Sequence, residues 1–281
     1  MEPLDFEFLR QLLLERSGAV VTLEKNYLIN SRLAPIARAH GHADVGALVK
    51  ALRWQPDEAV MEEIVDAMTT NETLFFRDGW PFQRLRDIVL PEVMKRNHVS
   101  KRLRIWSAAC SSGQEPYSIA IVLSEMKHLL AGWQANIVGT DISSEALGRA
   151  VEAKYTDFEV RRGLSDDMLS RYFRQEGANW FVRPEVRGMV DFKKFNLLND
   201  PMATGLFGFD VIFCRNVLIY FDEKTRARVL ESLARALRPG GYLLLGGAET
   251  VVGFSDAFSL IRGERGLFQL NEAGGKTNNC A

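Results

Sequence analysis

From Leu103 onward the chain alternates short apolar segments with amphipathic ones, and the apolar segments run out into small, polar or acidic residues. Few folds accept this pattern. Strands that read as continuous apolar runs are buried on both faces, and strands that alternate with helices pair in parallel. The spacing predicts strands at 104–109, 136–140, 190–195, 209–214 and 242–245. It predicts helices at 115–130, at 144–153, and from Asp222 or Glu223 to 237. Ser143 or Ser144 suits the N-cap of the helix at 144–153, with Glu145 in its first turn. Pro239-Gly240-Gly241 stops the last helix. The expected fold class is α/β, a doubly wound parallel sheet with helices on both faces.

The first hundred residues lack this texture. Phe6, Leu9, Leu12, Leu13 and Leu14 give an apolar face, and helical spacing continues over 25–40, 44–54, 57–69 and 81–95. Pro56 suits the first turn of the helix at 57–69. A small all-α domain thus precedes the α/β domain. Between 154 and 190 the alternation breaks. Residues 164–173 read as a helix, and 179–182 with 187–192 read as a hairpin turning near Pro184 and Gly188. That is a small antiparallel β insertion. The polar run after Leu270 is expected to be disordered.

A chain of 281 residues exceeds one small core and suits two domains, or one large domain with an appendage. Its formal net charge of −1 gives no global basic field for nucleic acid. The acidic start MEPLDFEFLRQ lacks the basic and apolar regions of a signal peptide, and no apolar run is long enough to cross a bilayer. Three cysteines, Cys110, Cys214 and Cys280, show no metal-type spacing, so no metal is expected. They point to a reducing cytoplasm.

In doubly wound sheets, ligands bind at the carboxyl ends of the strands. Here those ends are 107–113, Asp141, Asn196 and Arg215-Asn216. A dinucleotide site wants G-x-G-x-x-G, so that backbone N–H groups can meet a pyrophosphate. The loop SAACSSGQEPYS has one glycine and places Glu115 where a phosphate binder avoids negative charge. That suits a cofactor with no phosphate and a cationic amine, as in S-adenosylmethionine. A bland alternative is that Glu115 only decorates a helix N-terminus. Asp141 suits acceptance of both ribose hydroxyls, although it could equally cap the next helix. Asn196 and Leu197, at the end of the third strand, suit adenine.

Five segments go further: TTNETLFFRD (69–78), WSAACSSGQEPYSIA (106–120), GTDIS (139–143), FDVIFCRNVLIYFD (209–222) and LRPGGYLLLGGAE (237–249). With KNYLINSRL (25–33), they make the chain resemble the CheR family of chemotaxis receptor methyltransferases over nearly its whole length. Gln114 departs from the pattern, since the family often has a second acidic residue there, but Glu115 is retained. The resemblance implies a Rossmann-like methyltransferase fold. It also implies methyl transfer from S-adenosylmethionine to glutamates of a chemoreceptor, giving γ-glutamyl methyl esters and S-adenosylhomocysteine. Asn71, Thr73, Arg77, Glu115, Asp141, Asn196, Leu197, Arg215 and Asn216 match positions around the cofactor, and Arg77 and Tyr220 match positions near the reacting methyl.

The chemistry is consistent with that implication. A free glutamate has a pKa near 4.3, so about 99% or more is carboxylate at pH 7 and needs no general base. The four histidines, His40, His42, His98 and His128, lie outside the strand-end motifs and read as surface residues. Alignment and exclusion of water remain as the enzyme's task.

Lys25, Arg32, Arg38, Lys50 and Arg53 face only one acidic residue, Asp44, within 25–53, a local excess of four positive charges. A basic face suits receptor helices bearing clustered glutamates, with Lys25, Arg32 and Arg38 as the receptor-binding residues; a merely solvated face is the plain alternative. The β insertion corresponds to the family's subdomain that can grip a receptor's C-terminal tail by strand addition. The implied organisation is a receptor-facing helical domain at 1–75 and a linker helix at 76–102. A cofactor-binding domain at 103–270 follows, with an insertion at about 155–190, and a tail closes the chain at 271–281. Two other functions remain open: a catalytically silent receptor-docking module, or a methyltransferase acting on another acceptor. Nucleic acid and direct membrane insertion are not expected.

Overall fold

The computed structural model describes residues 1–271 except Leu23 and Lys25. The tail expected to be disordered falls outside the described residues from 272 on. The chain opens with four helices, α1 (Pro3–Ser17), α2 (Asn26–Ala39), α3 (Val45–Trp54) and α4 (Glu58–Met68). Asp44 caps α3 by accepting from the Ala47 N–H, and Asp57 caps α4 by accepting from Ala59 and Val60. Pro56 therefore lies before the cap, not in the first turn as the sequence suggested. Leu9, Leu13, Ile29, Leu33, Leu48, Val49 and Ile64 close a separate small core. Arg53 reaches the buried Asp5 at 2.5 Å and ties α3 to α1.

After a non-helical stretch, one helical run spans α5 (Trp80–Arg84), a π-helical turn (Leu85–Val89) and α6 (Leu90–Arg96). The sequence suggested a linker here. Instead Phe82, Leu85, Val89, Leu90 and Val93 are buried with Leu103, Ile105 and Tyr117 in the core of the α/β domain. That domain continues with β1 (Arg102–Ala108), α7 (Gln114–Glu125), β2 (Gln134–Asp141) and α8 (Ser144–Glu152). The insertion holds β3 (Lys154–Thr156), α9 (Asp157–Arg161), α10 (Asp166–Tyr172), β4 (Phe173–Glu176), β5 (Asn179–Val182) and α11 (Pro184–Arg187). The chain closes with β6 (Val190–Lys194), β7 (Phe209–Cys214), α12 (Glu223–Ala236), β8 (Leu237–Leu245), β9 (Phe258–Leu260) and β10 (Leu267–Leu270).

The main sheet runs β6-β2-β1-β7-β8-β10-β9. Its first five strands are parallel, and β10 and β9 add an antiparallel edge that the sequence analysis missed. Alternate strand residues face opposite cores. Ile105, Val211, Phe213 and Leu244 face one; Trp106, Ile212, Cys214 and Leu243 face the other, beneath α12. At the amino ends of the strands, the fully buried Asp210 accepts from the Arg104 N–H at 2.9 Å, Asn97 Nδ2 at 2.9 Å and Arg96 Nη2 at 3.2 Å. This carboxylate fastens α6 to β1 and β7. Among the described residues no helix is long and apolar enough to cross a membrane.

Three boundaries differ from the sequence-based expectation. Helix α7 ends at Glu125, where Met126, Lys127 and Leu129 donate to carbonyls three residues back and the chain tightens into turns. Pro239-Gly240-Gly241 forms an irregularity within β8, not a stop before it. The hairpin pairs β4 with β5 around Gly177, and β3 joins the other side of β5. Residues 187–192 are not its second arm: Pro184 starts a helical turn, and Val190–Lys194 pairs in parallel with β2.

The insertion also braces the segment before α5. A Cβ placed on Gly163 would lie 1.8 Å from the carbonyl oxygen of Phe75, so the two backbones touch there. Gly148 in α8 has nothing within 4 Å of such a Cβ. Gly163→Ala should therefore cost about 1–3 kcal/mol through overpacking, whereas Gly148→Ala should stabilise by about 0.5–1 kcal/mol through helix propensity. Urea denaturation of the two variants should show opposite signs.

Candidate active site

The strand order reverses direction between β1 and β7, and a cleft opens there at the carboxyl ends. Asn71, Thr73, Arg77, Glu115, Asp141, Asn196, Leu197, Arg215, Asn216 and Tyr220 all line this one cleft. Arg32 and Arg38 are not among its lining residues, and Lys25 lies outside the described residues.

The turn after β1 is tight. Ala109 and Ser111 adopt left-handed backbone (φ 57° and 51°), as does Gly113 (φ 92°), which precedes α7. A Cβ on Gly113 would come within 2.9 Å of the Ala150 Cβ and 3.1 Å of the Tyr155 hydroxyl. The single glycine of the loop is thus required by packing against α8, not by a phosphate. Tyr155 donates to the Ser112 carbonyl at 2.7 Å, and the buried Gln114 accepts from the Ser112 hydroxyl at 2.9 Å. Ser111 donates its backbone N–H to Asp141 Oδ2 at 2.7 Å, and Ser143 donates to Oδ1 at 2.9 Å. Burial pushes the Asp141 carboxyl up; the Ser143, Ser111 and Ile142 amides pull it down, and nearby Asp66 pushes it further up. Asp141 lines the cleft, where its carboxylate can still accept a ligand hydroxyl.

Arg215, at the end of β7, is the hub of the site. Its side chain is 1% exposed. Nη1 donates to Glu115 Oε2 at 2.9 Å, while Nη2 donates to Asp78 Oδ2 at 2.7 Å and to the Arg77 carbonyl at 2.9 Å. Glu115 Oε1 accepts from the Ser107 hydroxyl at 2.7 Å. One guanidinium against two carboxylates leaves one negative charge at this point, a setting that favours a cationic ligand. Arg215 Nε is buried with no hydrogen-bond partner among the described residues. The segment carrying Asp78 is strained, since Phe76 (φ 48°) and Asp78 (φ 67°) are non-glycine residues at positive φ. The Arg77 guanidinium donates to the Glu72 carbonyl at 2.9 Å.

Sequence reasoning overlooked Glu249. Its carboxylate accepts from four backbone N–H groups: Gly246 at 2.7 Å, Asn216 and Leu218 at 2.8 Å, and Val217 at 2.9 Å. Asn216 is left-handed (φ 59°), so Glu249 fixes the backbone that leads from Arg215 into the 3-10 turn Leu218–Tyr220. Its position at the end of a quoted motif was the available signal. Ser17, Ala19 and Phe221 also line the cleft. Nothing in the sequence of the loop after α1 marks it as part of a site more than fifty residues away.

Other expectations find a different place. Asn196 Nδ2 donates to the Arg16 carbonyl at 2.5 Å and its Oδ1 accepts from the Leu198 N–H at 3.0 Å, so its amide secures the domain junction. Arg32 Nη1 donates to the carbonyls of Met68 at 2.9 Å and Thr69 at 2.6 Å, so it caps the end of α4, although the sequence put it on a receptor-facing surface. Arg38 is exposed. Burial pushes the Cys110 and Cys214 thiols well up, and nearby carboxylates add to it, so neither is a ready nucleophile. No histidine lines the cleft among the described residues.

A sequence model described as the CheR methyltransferase all-α domain matches residues 4–69, and one described as the CheR methyltransferase SAM-binding domain matches residues 71–267. The chain is 42% identical to chemotaxis protein methyltransferase Cher2 of Pseudomonas putida, over 94% of this chain and 96% of that one. It is 42% identical to chemotaxis protein methyltransferase 1 of Pseudomonas aeruginosa over the same shares, and 39% identical to the chemotaxis protein methyltransferase of Vibrio parahaemolyticus over 89% and 90%. The negative cleft with its buried Arg215 fits S-adenosylmethionine, the cofactor of the matched domain. The chain belongs to the CheR methyltransferase family, whose all-α and S-adenosylmethionine-binding domains account for its two parts.

Proposed function

We propose that this chain methylates glutamate side chains of chemoreceptors in the cytoplasm, forming γ-glutamyl methyl esters. One observation carries the choice of acceptor. Among the described residues no histidine lines the cleft, its Cys110 thiol is held protonated by burial, and its Glu115 and Asp141 carboxylates are already engaged by Arg215, Ser107 and backbone amides. The acceptor must arrive already nucleophilic, and a carboxylate does so at pH 7. The relatives named as chemotaxis methyltransferases support a chemoreceptor as its bearer.

When bound, S-adenosylmethionine supplies an electrophilic methyl group on a sulfonium. Glu115, backed by Arg215 and Asp78, would hold the cationic amine end. The unpartnered Arg215 Nε is a donor suited to the cofactor carboxylate. Asp141 would accept the ribose hydroxyls, and Asn196 with Leu197 would flank the base. Asn71, Thr73 and Asn216 complete the enclosure. Arg77 would steer the incoming carboxylate along the cleft, and the Tyr220 hydroxyl would orient it. Both act by positioning, since too tight a grip would blunt the nucleophile. For docking, Arg38 presents an exposed cation at the end of α2, while Arg32 serves by holding the start of the segment that carries Asn71 and Arg77. The outer strand β4 offers one edge for addition of a receptor tail strand.

Transfer of a labelled methyl group to receptor-bearing membranes, followed by alkali, should release volatile methanol. Label that survives alkali would reject the carboxylate acceptor. Arg77→Ala removes a charged hydrogen-bond donor worth about 1.5–3 kcal/mol, so turnover should fall roughly 10–100-fold. Tyr220→Phe should fall about 3–10-fold, with affinity for S-adenosylhomocysteine nearly unchanged by calorimetry. Glu249→Ala would strand four amides at about 1–3 kcal/mol for an unsatisfied group. It should lower both thermal stability and turnover, and Glu249→Gln should recover part of each.

A further inference from the structure

One wall of the cofactor cleft comes from the helical domain. Helix α1 ends at Gly18, which is left-handed (φ 75°) and returns its N–H to the Leu14 carbonyl. The Ser17 hydroxyl donates to the Leu13 carbonyl at 2.7 Å. The chain then runs antiparallel to the active-site loop. Ala19 forms a β-bridge with Phe221, and the Val20 N–H donates to the Tyr220 carbonyl at 3.0 Å. A Cβ on Gly18 would sit 3.0 Å from the Phe221 ring and 3.1 Å from the Leu198 side chain, so glycine is needed for both backbone and fit. Ser17 and Ala19 line the cleft, whereas Val21 is buried in the helical core.

Tyr220 is therefore held from two sides. Glu249 fixes the residues that precede it, within the α/β domain. Its own carbonyl is taken by Val20, from the other domain. We infer that Gly18-Ala19-Val20 is a positioning strap: it closes the cofactor cleft, sets the placement of Tyr220, and couples cofactor binding to docking of the helical domain. The role given to Tyr220 rests on the methyl-transfer function proposed above; the coupling to cofactor binding does not. If the docked strap favours the cofactor, the cofactor favours the docked strap by the same factor. The domains have other links, among them the Ser144 N–H to Asp66 Oδ2 at 3.1 Å and Arg16 to Asn196. Loss of the strap bond alone should leave the protein folded.

Val20→Pro removes the N–H and adds nothing to the cleft, because the Val20 side chain points to neither the cleft lining nor the core and is 40% exposed. Ala19 is already in a β-bridge, which a following proline tolerates. The full chain should be measured by calorimetry with S-adenosylhomocysteine, by steady-state methyl transfer, and by amide hydrogen exchange. Expected for Val20→Pro are a Kd raised about 3–10-fold and a kcat lowered about tenfold, with the acceptor KM within twofold. Val20→Ala keeps the N–H and should rescue both values. In the unsubstituted protein, saturating S-adenosylhomocysteine should slow exchange in the peptide spanning 18–22 at least tenfold. A folded Val20→Pro protein with Kd and kcat within twofold of the unsubstituted one would overturn the inference. So would Val20→Ala losing as much as Val20→Pro, or unchanged exchange on cofactor binding should Val20→Pro fail to fold. A protein that binds S-adenosylhomocysteine but labels no receptor would sink the proposed function and leave the exchange and affinity results to judge the strap.

Discussion

Arg215 is buried, charged and met by two carboxylates, and the site is assembled around that fact. A guanidinium this far from water is tolerable only if paired. Satisfying it draws together the end of β7, the start of α7, the end of β1 through Ser107, and the strained stretch at Asp78. Breaking one member of such a set typically costs about 3–5 kcal/mol, because the remaining charge stays buried. The same pairing leaves the surplus negative charge that a sulfonium cofactor prefers. Stability and ligand preference therefore come from one cluster.

The strained stretch before α5 shows where tension is stored and how it is held. Phe76 and Asp78, both non-glycine residues at positive φ, would relax if free. They are held from behind by the Gly163 backbone, beneath by the Phe75 ring packed edge-on against Tyr155 and Phe173, and in front by Arg215. The β insertion is thus a buttress for the segment that carries Arg77 and Asp78 as well as a surface, through the Gly163 backbone between α9 and α10.

Much of this was legible in the sequence because strand ends have no structural need for Ser107, Glu115, Asp141 or an Arg-Asn pair. Those residues stood out against apolar strands: Glu115, Asp141, Arg215 and Asn216 line the cleft, and Ser107 stands behind it, donating to Glu115. Readings that failed depended on partners distant in sequence. Residues 187–192 look like a hairpin arm to their neighbours, but 184–187 turn helically and Val190–Lys194 is the parallel strand expected at 190–195, paired with β2. Arg32 looks like a surface cation until α4 brings two bare carbonyls to it. Short β9 and β10 carry too few residues to show a period; the edge of β8 makes β10 a strand, and β10 in turn makes β9 one. Glu249 sat in a quoted motif, but a carboxylate's ability to collect four amides appears only when the backbone curls round it.

The wall made by Ser17 and Ala19 bears on what counts as a unit in this molecule. The two sequence-family segments meet near residue 70, and that point is the natural place to cut or to graft. Yet the ligand cleft crosses it. A chimera that exchanged the first seventy residues between two such proteins would exchange part of the cleft wall along with the four helices. The helical domain and the cofactor cleft therefore form one unit, and a change in the loop after α1 is a change in the cleft.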